Sequence, residues 1–124
     1  MSHISRLKTK IKDLETLEEA LKSMGYEVKR NATLRGFNQA KKVNLLVKMN
    51  IGYDIGFSLD RNTGEVALEA DTWNLAVDPE KFLKQVQQRY AQIYIKKEAE
   101  KRGFTVVEET KTKDGSIKLT LRKI

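Results

Sequence analysis

DPEKFLKQVQQRYAQIYIKKEAEKRG, residues 78–103, is the stretch whose reading decides the fold. Asp78 is suited to cap a helix, since its side-chain oxygen accepts from orphan backbone N–H groups one turn in. Pro79 fits the first helical position, where no N–H is needed. Glu80 places negative charge at that end, and Lys101 and Arg102 place positive charge at the other. Gly103 accepts the left-handed conformation that stops a helix. The 24 residues between these signals predict a rod of roughly 36 Å. Phe82, Val86, Tyr90 and Ile93 recur at helical spacing, so one stripe is apolar and a sheet is expected under it. Ile93, Tyr94 and Ile95 are consecutive and point about 100° apart, so one face cannot hold all three. Tyr94 and Ile95 are therefore expected to meet a second surface or another chain.

Working outward, the other elements follow. Alternation from Ile4 to Ile11 predicts a strand with Ser5, Leu7, Thr9 and Ile11 on one face. Arg6, Lys8, Lys10 and Lys12 form a cationic row on the other. That row reads as a like-charged edge that resists aggregation, or as a contact for phosphate or an acidic partner. No aromatic residue is interleaved on it to stack bases. Asp13 caps a second helix, with Leu14, Leu17, Leu21 and Met24 on one stripe and Gly25 as its stop. Tyr26 and Val28 begin a strand. Residues 30–42 are polar and basic around Leu34 and Phe37, and are expected to be a strand end leading into a mobile loop.

Val43, Leu45, Val47 and Met49 alternate as a strand, and so do Tyr53, Ile55, Phe57 and Leu59. Residues 60–64, Asp-Arg-Asn-Thr-Gly, are expected to form a hairpin loop. Val66, Leu68 and Ala70 return on one face, with Glu65, Glu69 and Asp71 on the other. Three carboxylates on one face suggest a hard cation, but the spacing is not that of a calcium loop, and no metal site is assigned. Trp73, in the loop 71–77, is expected to fold back over the core or to anchor a partner. Asp114-Gly115 is a strong turn pair within a final hairpin. Gly25-Tyr26-Glu27-Val28 is echoed by Gly103-Phe104-Thr105-Val106, each after a helix and before a hairpin. The fold class expected is α+β in two layers, a mostly antiparallel sheet with both helices on one face, in a single domain over residues 1–124.

Composition narrows the chemistry. The 124 residues contain no cysteine, which excludes disulfides, thiolate metal sites and cysteine nucleophiles. No apolar run approaches the roughly 20 residues of a membrane span, and a cytoplasmic location is expected. The net charge is +7. Residues 51–80 carry seven acids against the single base Arg61, so that segment is −6 and the remainder +13. A lysine-rich solvated surface with an acidic patch accounts for this, and a nucleic acid or acidic protein surface is the partner class such charge attracts. His3 is the only histidine. Third in the chain, it would chelate copper or nickel if Met1 stayed, but small Ser2 favours Met1 removal, so an incidental histidine is expected. Neither a glycine-rich phosphate loop nor a serine elbow is present. No catalytic residue and no cofactor is assigned, and enzyme activity is not expected.

Four segments together resemble a known family. They are Met1-Ser2-His3-Ile4-Ser5 with Lys8-Thr9 and Ile11-Lys12-Asp13; Tyr53-Asp54-Ile55-Gly56-Phe57; Gln88-Arg89-Tyr90-Ala91; and Asp114 to Leu119. In this order they are similar to the domain-of-unknown-function family 1257, which includes the hypothetical chloroplast reading frame thirty-five proteins. The chain departs from the plastid-type pattern around residues 30–42 and 71–79, and those loops are expected to contact different partners. The resemblance implies an accessory subunit, with a AAA-type ATPase as a partner. It singles out His3, Lys8, Asp54, Arg89 and Tyr90, without assigning them roles. Arg89 beside the apolar stripe is expected to reach Asp54 on the sheet as a structural pair. The function expected is a non-enzymatic interaction module that binds a protein partner or its own copies. The alternative is a nucleic-acid-binding domain using the basic row and the loop from Lys29 to Lys42.

Overall fold

Aspartates start both helices. In the computed structural model, which describes residues 4–123, Asp13 Oδ1 accepts the Glu15 and Thr16 N–H groups and opens α1 (Leu14–Ser23). Asp78 accepts the Glu80 N–H and opens α2 (Pro79–Lys101), with Pro79 in the first turn. α2 is one unbroken helix of 23 residues. The readings placed on Met1, Ser2 and His3 lie outside the described residues.

The strands are β1 (Ile4–Lys8), β2 (Glu27–Gly36), β3 (Gln39–Lys48), β4 (Ile55–Leu59) and β5 (Val66–Asp71). They form one antiparallel sheet in the order β1-β5-β4-β3-β2. A second, two-stranded sheet joins β6 (Phe104–Lys111) to β7 (Ile117–Lys123). Regular pairing of β1 stops at Lys8, earlier than the alternation suggested. Thr9 turns its hydroxyl onto the Val66 carbonyl and accepts the Ile11 N–H. Even so, Thr9 and Ile11 stay buried while Lys10 and Lys12 stay exposed, so the alternation persists beyond the strand.

Both helices pack on one face of the sheet. Leu17 and Leu21 of α1 and Phe82, Leu83 and Val86 of α2 share a core with Val47, Ile55, Phe57, Val66 and Leu68. Fully burying aliphatic and aromatic side chains of this size contributes about 1.5–3 kcal/mol each. Phe82 meets Tyr26 edge to face and lies 6.5 Å from Phe57.

The segment 30–42 is where the structure overturns the sequence. Instead of a loop, it is the outer half of a long hairpin, paired as far as Gly36 opposite Gln39. Asn31 has φ +48 and Asn38 φ +58, values that asparagine tolerates better than bulkier residues. Leu34, Val43 and Leu46 form a second core with Ile4 and Ala32, on the side of the sheet away from the helices. The hairpin thus folds over the back of its own sheet. Gly56 makes this approach feasible: a Cβ there would lie 2.7 Å from Val43 Cγ1. Val43 accordingly serves this back core instead of continuing the stripe of Leu45 and Val47 that faces the helices.

Candidate functional site

The hairpin tip comes to rest on the end of β5. Asp71 is fully buried. Its Oδ2 accepts the Phe37 N–H at 2.8 Å, and its Oδ1 accepts the Trp73 N–H at 3.0 Å. The first bond spans 34 residues; the second is an aspartate bonding two residues on, which starts the single turn Thr72–Asn74. Gly36 fits because a Cβ there would lie 2.7 Å from Asp71 Oδ2. Nearby, Ile4 N–H donates to Gln39 Oε1 at 2.7 Å, and Lys41 pairs with buried Glu69. A third segment joins them. Gly52 bridges Leu75, and Tyr53 N–H donates to the Asn74 carbonyl at 2.9 Å.

These three tied segments carry three apolar side chains that the fold leaves in solvent. Ile51 is 75% exposed, Trp73 69% and Phe37 54%. Trp73 therefore does not fold back over the core. The Asp71 bond and the 72–74 turn fix its backbone at the surface. Large apolar side chains on anchored backbones lose little conformational freedom when a partner covers them, which is the character of binding hot spots.

The residues singled out from sequence are dispersed. Arg6, Lys8, Lys10 and Lys12 are all exposed along edge strand β1 and its continuation. Arg6 lies 3.6 Å from Asp60 Oδ2. Arg89 does not reach Asp54. α2 runs along α1, so Arg89 donates to Ser23 Oγ in the last turn of α1 at 2.8 Å. Asp54 stays at the β3–β4 turn, accepting Lys48 Nζ and the Met49 N–H, both at 2.8 Å. The Tyr90 hydroxyl accepts the Asp13 N–H at 3.2 Å, joining the two helix regions, and burial pushes its pKa up. Tyr94 stacks on Tyr90 with ring centres 5.6 Å apart, and Tyr94 and Ile95 both remain exposed. Glu65, Glu69 and Asp71 do not converge. Among the described residues no three acidic or histidine side chains are grouped to hold a metal. No described helix is long and apolar enough to cross a membrane.

Comparison with known proteins places this arrangement. The family described as "Protein of unknown function (DUF1257)" matches residues 20–120. The chain belongs to this family. The match runs from α1 into β7, so both the Asp71 junction and α2 lie inside it. "Uncharacterized protein ycf35" of Guillardia theta is 35% identical over 99% of the chain and 98% of its own length. The protein of the same name from Pyropia yezoensis is 32% identical with the same coverage, and that of Cyanophora paradoxa is 30% identical. No solved structure matches. For this member of DUF1257, the tip site was hidden from sequence reading because its main bond joins residues 34 apart. Only the short-range part was visible, in the Asp71-Thr72-Trp73 order that favours a side-chain-capped turn.

Proposed function

We propose that the chain is a non-enzymatic interaction module that docks a protein partner through Phe37, Ile51 and Trp73. The observation that supports this most is the buried Asp71 carboxylate, which holds two of the three exposed apolar residues by their backbones. Burying a carboxylate is costly unless its oxygens are bonded. Here the bonded carboxylate fixes two surface segments that have little core of their own. Tyr94 and Ile95 on α2 are exposed as well, as are Val107 and Leu121 on the C-terminal hairpin, and exposed apolar residues of this kind suit self-association. A AAA-type ATPase, suggested by the resemblance of the sequence, is the first partner to test, and a cytoplasmic accessory subunit is the corresponding role. The test is co-purification of the chain with that ATPase, using the native sequence and Trp73→Ala. A complex lost in Trp73→Ala supports the reading. A complex that survives both Trp73→Ala and Phe37→Ala contradicts this site, and retention of DNA or RNA instead of protein supports a nucleic-acid module.

A further inference from the structure

We infer that the groove between the back of the sheet and the folded-over hairpin is a binding site for the phosphate group of a small molecule. The groove has a volume of about 550 Å³ and is lined by Arg6, Lys42, Asn31, Asn44, Ser58 and Asp60, among others. It exists because the hairpin bends at Asn31 and carries Lys41 and Lys42 back toward β1. Arg6 is thereby brought opposite a segment that sequence alone placed in a separate loop.

Its polar groups are mostly donors without acceptors. Lys41 is already paired with Glu69, but Lys42 has no ion-pair partner among the described residues. Asn44 Oδ1 accepts the Leu59 N–H at 2.8 Å, which leaves its NH₂ group as an unused donor among the described residues. Ser58 Oγ is buried and has no hydrogen-bond partner among the described residues. An orphan hydroxyl inside a protein costs stability, so its place in the lining of a donor-rich groove calls for an acceptor. The single acid of the lining, Asp60, is occupied by Arg6 and by the Asn62 and Thr63 N–H groups. An oxyanion with several acceptor oxygens matches a guanidinium, an ammonium, an amide and a hydroxyl together. The lining holds no aromatic residue on which a base would stack.

The test is a titration of the full chain with inorganic phosphate, followed by two-dimensional amide NMR at constant ionic strength, with oligothymidylate as a second arm. Saturable shifts centred on Asn31, Lys42, Asn44 and Ser58, with half-saturation near roughly 1 mM, are the expected result. Lys42→Ala is expected to weaken binding about tenfold, the loss of one charge-assisted contact. Ser58→Ala separates binding from folding. Without phosphate it is expected to melt no lower than the native chain, because the hydroxyl supports nothing internal, yet it loses the phosphate-dependent rise in Tm. Shifts that stay linear to the highest phosphate concentration, or that are unchanged in Lys42→Ala, overturn the site. So does salt-sensitive binding of oligothymidylate in the absence of any phosphate response. Failure of this test leaves the tip-docking reading intact, because Phe37 and Trp73 do not line the groove.

Discussion

Asp71 Oδ2 accepts the backbone N–H of Phe37 at 2.8 Å, so a buried carboxylate at the end of β5 holds the tip of a hairpin that lies 34 residues earlier in the chain. Asp71→Asn replaces one acceptor oxygen by an NH₂ group and leaves one N–H without its acceptor. A cost of about 1–3 kcal/mol follows, read from chemical denaturation. Amide exchange at Phe37 or Trp73 should quicken more than exchange in β4. Uniform acceleration through the whole sheet would contradict a local clamp.

Gly56 and Val43 form the second constraint on the hairpin. Gly56→Ala places a methyl group 2.7 Å from Val43 Cγ1 and 3.3 Å from Leu34 Cδ2. Overpacking of this kind costs about 1–3 kcal/mol. Adding Val43→Ala opens the space, so the double variant should be more stable than the sum of the two single losses. Simple additivity in a double-mutant cycle would show that the hairpin does not lie on Gly56.

Glu18 gives the pH dependence its sign. The carboxylate is nearly buried and accepts Arg30 Nε at 2.7 Å and Lys22 Nζ at 2.8 Å. The hydrogen bond from Arg30, then that from Lys22, holds its pKa below the ordinary value of 4.5. The folded state therefore binds this proton less readily than the unfolded chain. Its contribution to stability is present above pH 4.5 and is lost as pH falls through the lowered folded value. Thermal melts from pH 7 down to pH 3 should show the native chain losing more stability than Glu18→Gln. Parallel curves would show that Glu18 carries no such linkage.

The hairpin turn Thr112–Ser116 holds a second carboxylate with a lowered pKa. Asp114 accepts the Thr112 hydroxyl and the Ser116 N–H, which lower its pKa to about 2. NMR titration of the Asp114 carboxyl should place its midpoint well below the ordinary value of 3.8. A midpoint at 3.8 would mean that the turn is not closed by this side chain.

What the sequence reveals and what it hides divide along contact range. Caps act within one turn, so Asp13, Asp78 and Gly103 delimit both helices without tertiary information. Alternation likewise marks β3, β4 and β5, although β5 is buried on both faces. The outer half of β2 and β3 escaped because Arg30, Arg35, Lys41 and Lys42 are exposed while only Ala32, Leu34 and Val43 of this stretch face the back core. So few apolar residues in such a polar run read as a loop. Of the two readings of Trp73, folding back over the core fails for a related reason. A tryptophan is usually covered by its own chain, and nothing local indicates that the bonds of Asp71 hold its backbone outward. Arg89 and Asp54 were matched by charge alone, whereas the packing of α2 along α1 offered Ser23 first. The excess of apolar residues at Ile93, Tyr94 and Ile95 was legible because helical geometry forbids their burial on one face, and Tyr94 and Ile95 are exposed.

The most direct measurement for the docking account is the affinity of the chain for its candidate ATPase partner, compared across the native sequence, Trp73→Ala and Tyr94→Ala. Trp73→Ala removes exposed surface, so its stability should change by less than about 0.5 kcal/mol, while affinity should fall by 2 kcal/mol or more, roughly thirtyfold, as at a buried hot spot. Tyr94→Ala should leave that affinity unchanged. Equal affinities for the native chain and Trp73→Ala would contradict the claim that the tip held by Asp71 is the docking surface.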